Sequence, residues 1–299
     1  MRYSLVSTTS RQVERVSRMG FISFANMKLT LILLILCVEY YWCDAARILL
    51  LGPVGTHSHK FVYMPILEGL AENGHHVTVV SPFAPQKETE NIREIVIENV
   101  EVDDINFFQV RLFQGIIAVA PRFWVFGTYL FSIYDNLMSN QEFRQIQRDE
   151  QFDLILIDAI FNDFCLPLAD LWQAPIITIS ASIGPPWILE TMGVPHYLAS
   201  HPSTWTSYGN QMSFNQRFFN TLETALTTAF RTLFVINPLN SKIRKDFPHA
   251  RTIQEVERNI SLCIVTSHPV LNWPRPLPPT VIEVNRLHIK EAKQLPLVN

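Results

Sequence analysis

From Arg47 onward, short continuous runs of Val, Ile and Leu alternate with longer stretches whose apolar residues recur at helical spacing. The runs cover residues 47–51, 77–80, 95–100, 152–157 (ending at Asp158), 175–179, 262–265 and 281–284. Runs with no polar alternation suit strands covered on both faces, so the pattern predicts a parallel sheet between helical layers. Residues 58–73 read as the first helix, with Phe61, Met64, Leu67, Leu70 and Ala71 on one face. Ser58 is placed to cap its start and Gly74 to end it in the left-handed region. Pro65, inside this stretch, is expected to kink the helix or delay its regular part. The fold class expected is α/β, a Rossmann-like doubly wound sheet. In such sheets ligands bind beyond the carboxyl ends of the strands, which directs attention to residues 52–59 and 158–163.

Two long helical inserts interrupt the alternation. Residues 104–149 hold Phe107, Phe108, Phe113, Phe123, Trp124, Phe126, Tyr129, Phe131 and Tyr134. Residues 182–244 hold Pro185-Pro186-Trp187, Tyr197, Trp205, Phe218, Phe219 and Phe230. Apolar residues at helical spacing ordinarily form core. At this density, outside the sheet unit, they also fit a lipophilic cleft or a membrane-facing surface.

The amino terminus has a different character. Residues 29–38 read LTLILLILCV, preceded by Lys28 and followed by Cys43-Asp44-Ala45. A basic flank, an apolar run too short for a bilayer and a small-x-small site together describe a secretory signal peptide. Residues 1–45 are therefore read as leader and signal, with Met27 an alternative start, and residues 46–299 as the mature domain. No later stretch is long and apolar enough to span a membrane. Of the four Cys, Cys165 and Cys263 would remain in that domain, in apolar surroundings that suit buried thiols, with a disulfide between them left open. Asn259-Ile260-Ser261 is a glycosylation sequon. A formal net charge of −3 on 299 residues gives no footprint for nucleic acid, and 48% hydrophobic content argues against disorder.

The sequence has no GxGxxG, no GxxxxGK[ST], no GxSxG and no CxxC pair, so the strongest signals for dinucleotide enzymes, NTPases, serine hydrolases and zinc ribbons are missing. His57 and His59 follow the first strand, but no nearby cluster completes a metal shell, and no metal or cofactor is expected. A histidine at a strand-to-helix turn suits general-base work, given a carboxylate to orient its other nitrogen. Asp158, at the end of a buried strand, is a candidate for that carboxylate. The plainer alternative is an Asp158 that caps the next segment and a His59 that is a surface turn residue.

The stretch Ser58-His59, then 65–74 ending in Gly74, then His75-His76-Val77-Thr78-Val79, resembles animal UDP-glycosyltransferases, the insect type in particular. Residues 152–158 resemble that family's second catalytic segment. Met212-Ser213-Phe214 with Arg217 and Asn220 resembles its helix start of the form MTF…R…N. Residues 258–262, Ser267-His268-Pro269, Pro274-Arg275-Pro276 and 281–284 resemble the end of its first domain. The resemblance implies the amino-terminal, acceptor-binding half of a GT-B enzyme. In that enzyme His59 deprotonates the acceptor and Asp158 supports it, and a hexosyl or glucuronosyl group passes from a UDP-sugar to a small lipophilic hydroxyl with inversion. It makes Phe107, Phe108, Phe113, Phe123, Trp124 and Phe126 candidate lining for the acceptor. It also implies the lumen of the endoplasmic reticulum, and homo- or hetero-oligomers with full-length members. Residue 299 falls where the family's interdomain linker begins, so the chain reads as an acceptor half without donor domain or membrane anchor, inactive alone. A non-catalytic lumenal lipophile-binding or regulatory module is the alternative. Asn285-Arg286 stands where the family has a glycine pair, a substitution expected to disturb the turn because arginine resists positive φ.

Overall fold

The computed structural model describes residues 45–85, 87–98, 119–268, 270, 272–287 and 289. The chain divides into the units Met1–Ala45 and Ala46–Asn299, and the sheet with its helices belongs to the second. Phe107, Phe108 and Phe113, like the apolar run 29–38, lie outside the described residues.

The described residues form one seven-stranded parallel sheet in the order β3-β2-β1-β4-β5-β6-β7. The strands are β1 (Arg47–Leu51), β2 (His76–Ser81), β3 (Ile92–Val96), β4 (Leu154–Asp158), β5 (Ile176–Ser180), β6 (Leu262–Thr266) and β7 (Val281–Val284). This is the doubly wound, Rossmann-like order, in which strand succession reverses between β1 and β4. Register aligns Leu51 of β1 with both Val80 and Ile157, so the carboxyl ends of β1 and β4 lie side by side. The alternating side chains of β1 feed two cores. Leu49 and Leu51 face a large cluster with the inserts, and Ile48 and Leu50 face a smaller one with the first helix.

The third strand lies earlier than its apolar run suggests, at Ile92–Val96 rather than 95–100. It is an edge strand, where polar residues are tolerated. Its Glu94 carboxylate is met by Lys60, whose Nζ also donates to Phe83 O at 2.9 Å. The run of 95–97 exhausts its apolar side chains at the strand's end, where Ile97 N still donates to Ser81 O at 3.0 Å.

The first helix, α1 (His57–Glu72), starts one residue before Ser58 and runs through Pro65. Thr56 takes the cap position, and Ser58 Oγ lies 2.6 Å from Thr56 Oγ1 instead of capping. Pro65 therefore delays nothing. Gly74 follows the helix at φ +89°. Arg286 adopts φ +64°, so the turn keeps the left-handed conformation that glycine would favour and arginine bears its strain. Cys165 and Cys263 are both buried and free.

The inserts build helices α2 (Val119–Ser139) and α3 (Gln141–Asp149) before β4. After α4 (Cys165–Asp170) and β5 come α5 (Pro186–Thr191), α6 (Phe214–Arg231), a π-helical stretch (Thr232–Ile236) and α7 (Asn237–Asp246). The short α8 (Ile253–Glu257) then precedes β6. Helix α2 crosses the π-helical stretch at Gly127, where a Cβ would stand 2.3 Å from the Phe234 carbonyl oxygen. Backbone cannot yield that distance cheaply, so the two inserts meet at a contact that requires glycine. Gly127→Ala should destabilise the fold by about 1–3 kcal/mol, seen as a lower urea midpoint at unchanged slope.

Candidate active site

The switch point between β1 and β4 brings together two residues 99 positions apart. His59 stands in the first turn of α1, and Asp158 closes β4. His59 Nδ1 lies 2.7 Å from Asp158 Oδ2. An ionised carboxylate only accepts, so Nδ1 carries the hydrogen and Nε2 is free to accept a proton. Asp158 is 2% exposed and the His59 side chain 18%, which leaves the ring as the accessible member of the pair. The second carboxylate oxygen, Oδ1, accepts from Ile160 N at 3.1 Å.

The surroundings fix this geometry. Asn162 Oδ1 accepts from Val54 N at 2.8 Å, and its Nδ2 donates to Val54 O at 2.9 Å, so a buried amide ties the turn after β1 to the turn after β4. Tyr63, one turn along α1 from His59, is buried against the same cluster; burial, then the Asp158 charge, pushes its hydroxyl well above its ordinary range and keeps it neutral. His57 does not share the dyad; its ring lies on Phe83 at 4.0 Å.

Electrostatically the pair is coupled. Burial pulls the His59 imidazole down, but the hydrogen bond and charge of Asp158 outweigh it, and the net shift is upward from 6.5. Burial pushes the Asp158 carboxyl up, against the pull of His59 and Ile160 N–H. A raised histidine contributes stability that is complete below 6.5 and is lost as pH rises through its folded value.

Past the turn after β4 a cavity of about 520 Å³ opens, lined by Ile160 and Phe161 on one side and by the second insert on the other; neither His59 nor Asp158 is among its lining residues. Trp187, Tyr197 and Trp205 give it aromatic walls, and Trp273 and Arg275 close it from the segment before β7. Its outer loop is stapled by Asn220, fully buried, which accepts from Ser203 N at 2.7 Å and donates to Leu198 O and His201 O. Ser213 and Gln216 form a reciprocal cap at the start of that helix, and Arg217 donates to Met212 O at 2.9 Å. No residue of the Met212–Asn220 stretch lines the cavity itself; Asn220 acts on it by holding the loop of Leu198, His201 and Ser203 that does.

The aromatic candidates of the first insert lie elsewhere. Phe123 and Phe126 are each 3% exposed in the main core, where Phe126 packs on Phe161 at 4.4 Å. Trp124 is 62% exposed and meets Phe234 edge-on. None of the three lines the cavity, because the face of α2 that carries Phe123 and Phe126 is the face that covers the sheet. The rings around the cavity come from the second insert. Sequence reasoning also missed the buried network in which Arg231 donates to Asp163 and Glu257, each at 2.6 Å, and stacks over Trp187 at 4.4 Å. Asp163 fell in the segment marked by the sheet rule, but nothing in the sequence linked it to residues so distant.

A Rossmann-like α/β domain with a histidine–aspartate pair at its switch point, and an aromatic cavity walled in part by the turn after β4, defines the class. The family model for UDP-glucoronosyl and UDP-glucosyl transferase matches residues 48–298, and the chain belongs to this family, corresponding to the amino-terminal half of its members. It is 32% identical over 272 residues to UDP-glucosyltransferase 2 of Dactylopius coccus, covering 89% of this chain and 52% of that one. It is 29% identical over 260 residues to the ecdysteroid UDP-glucosyltransferase of Autographa californica nuclear polyhedrosis virus, covering 80% and 48%. Among solved structures, the glycosyltransferase SnogD of Streptomyces nogalater aligns with TM-score 0.42 at 12% identity, over 86% of this chain and 54% of that one. The chain spans about half the length of the curated relatives it matches.

The coupling can be measured directly. The His59 ring should titrate above 6.5 by NMR in the wild type and at lower pH in Asp158→Asn, where the charge is gone; an unchanged midpoint would mean the pair is not electrically coupled.

Proposed function

We propose that the chain supplies the acceptor site and the general base of an inverting UDP-glycosyltransferase. The observation that carries this reading is the 2.7 Å contact from His59 Nδ1 to Asp158 Oδ2, which leaves Nε2 as a proton acceptor at the carboxyl ends of two interior strands. His59 takes the proton of an acceptor hydroxyl, and the oxygen attacks the anomeric carbon of the sugar. The bond from that carbon to the diphosphate breaks, UDP leaves with the electron pair, and configuration inverts. Asp158 fixes the ring and stabilises the imidazolium that forms. The neighbouring cavity, of a size that suits a small organic molecule, takes the lipophilic part of the acceptor.

The 299 residues alone should bind a phenol while turning over little or no UDP-glucose. Joined to the carboxyl-terminal half of the Dactylopius relative, they should glucosylate it. In that fusion His59→Ala should cut turnover by roughly 10²–10⁴-fold while phenol affinity changes by less than about threefold. Turnover that survives the substitution would remove His59 from the mechanism.

The same reading places the domain in the lumen of the secretory pathway. Asn259 of the sequon is exposed just after α8. Expression in insect cells should give a glycosidase-sensitive mass increment that Asn259→Gln abolishes. An unmodified wild-type chain would speak against that compartment.

A further inference from the structure

Glu223 projects from α6 into the wall of the aromatic cavity and is 1% exposed. Its Oε1 accepts from Thr227 Oγ1 at 2.9 Å and from Arg122 Nη1 at 3.4 Å. Its Oε2 is buried and has no hydrogen-bond partner. Leaving a buried carboxylate oxygen unpaired is costly, and native proteins seldom do so without a reason. Arg122 already supplies the countercharge and stacks over the Trp205 ring at 4.1 Å, so the carboxylate and one aromatic wall are held in place together. What Oε2 lacks is a hydrogen-bond donor, not a second cation. Three further lining residues present buried atoms without partners: Arg231 Nε and Arg275 Nε, both donors, and His201 Nε2, which donates or accepts according to its tautomer. The cavity therefore offers aromatic surface, one free acceptor, two free donors and an imidazole nitrogen that can serve as either. A hydroxyl complements such a set because it donates and accepts through one oxygen.

We propose that Glu223 takes a hydrogen bond from a second hydroxyl of the bound molecule, so that the cavity selects polyhydroxylated lipophiles over singly hydroxylated ones of the same ring size. This rests on the reading of the cavity as the acceptor site. Glu223 is a specificity residue, remote from the transferred proton.

The test is calorimetric binding of three probes to the full chain: a naphthol, its dihydroxy analogue, and the monomethyl ether of that analogue. The dihydroxy probe should bind about tenfold more tightly than the naphthol, as a hydrogen bond to a charged group provides. The ether, which keeps the oxygen but loses the donated hydrogen, should fall back to the naphthol's affinity. In Glu223→Gln the preference should shrink to about threefold or less. The ether comparison uses only the wild type, so it decides the matter even if the variant fails to fold. Equal affinity for the dihydroxy probe and its ether, or a preference that persists in a folded Glu223→Gln, overturns the role of Glu223 and leaves the cavity as acceptor site. Failure of all three probes to bind overturns the cavity reading and this inference with it.

Discussion

The hydrogen bond from His59 to Asp158 joins the two turns on which the site is built. It forms because parallel pairing of β1 and β4 puts their carboxyl ends in adjacent positions, where the chain leaves each strand in an opposite sense. A carboxylate as buried as Asp158 is tolerated only with donors, and it has two, the imidazole and Ile160 N–H. Withdrawal of either would leave a buried charge poorly matched. Asn162 serves the same junction by closing two hydrogen bonds on Val54, so the geometry of the dyad is supported by backbone as well as by its own contact.

The inserts divide their work. The first lays α2 across the sheet and fills the core with Phe123, Phe126 and Leu130, and its tight crossing with the π-helical stretch locks it to the second. The second insert carries the cavity. Asn220 holds its loop by three hydrogen bonds, and Arg231 binds α6 to the turn after β4 and to α8 through Asp163 and Glu257. Both anchors are polar groups buried with partners. They fix one arrangement where apolar packing alone would admit several. Burial and the neighbouring Asp163 charge push the Glu257 carboxyl up, against the pull of Arg231, so this network too depends on its proton balance.

Much of the sheet was legible because a strand buried on both faces is mostly apolar, as β1 is from Ile48 to Leu51 and β4 from Leu154 to Ile157. The third strand is the exception. It lies at the edge, where Glu94 can be buried against Lys60, and an ion pair contributed by another element leaves no periodic trace in its own segment. The start of α1 was misplaced by one residue for a similar reason: the Ser58 hydroxyl is engaged by Thr56 rather than by the helix backbone. Arg286 shows the reverse case, a residue type poorly suited to a left-handed turn that the surrounding structure imposes all the same.

By itself the sequence determined the residue types and the local order: an apolar strand followed by a histidine turn, an apolar strand ended by an aspartate, and aromatic residues gathered in two inserts. It could do so because strand burial and turn chemistry act over a few neighbouring positions. Only the tertiary structure decided that the histidine meets the aspartate, that Phe123 and Phe126 are core while Trp187 and Trp205 line the cavity, and that Glu223 faces it with one oxygen unpaired. Those outcomes depend on pairing between segments far apart in the chain and on which face of a helix is turned inward. An aromatic ring gains the same burial against a sheet as it does around a cavity, so its identity alone leaves the choice open.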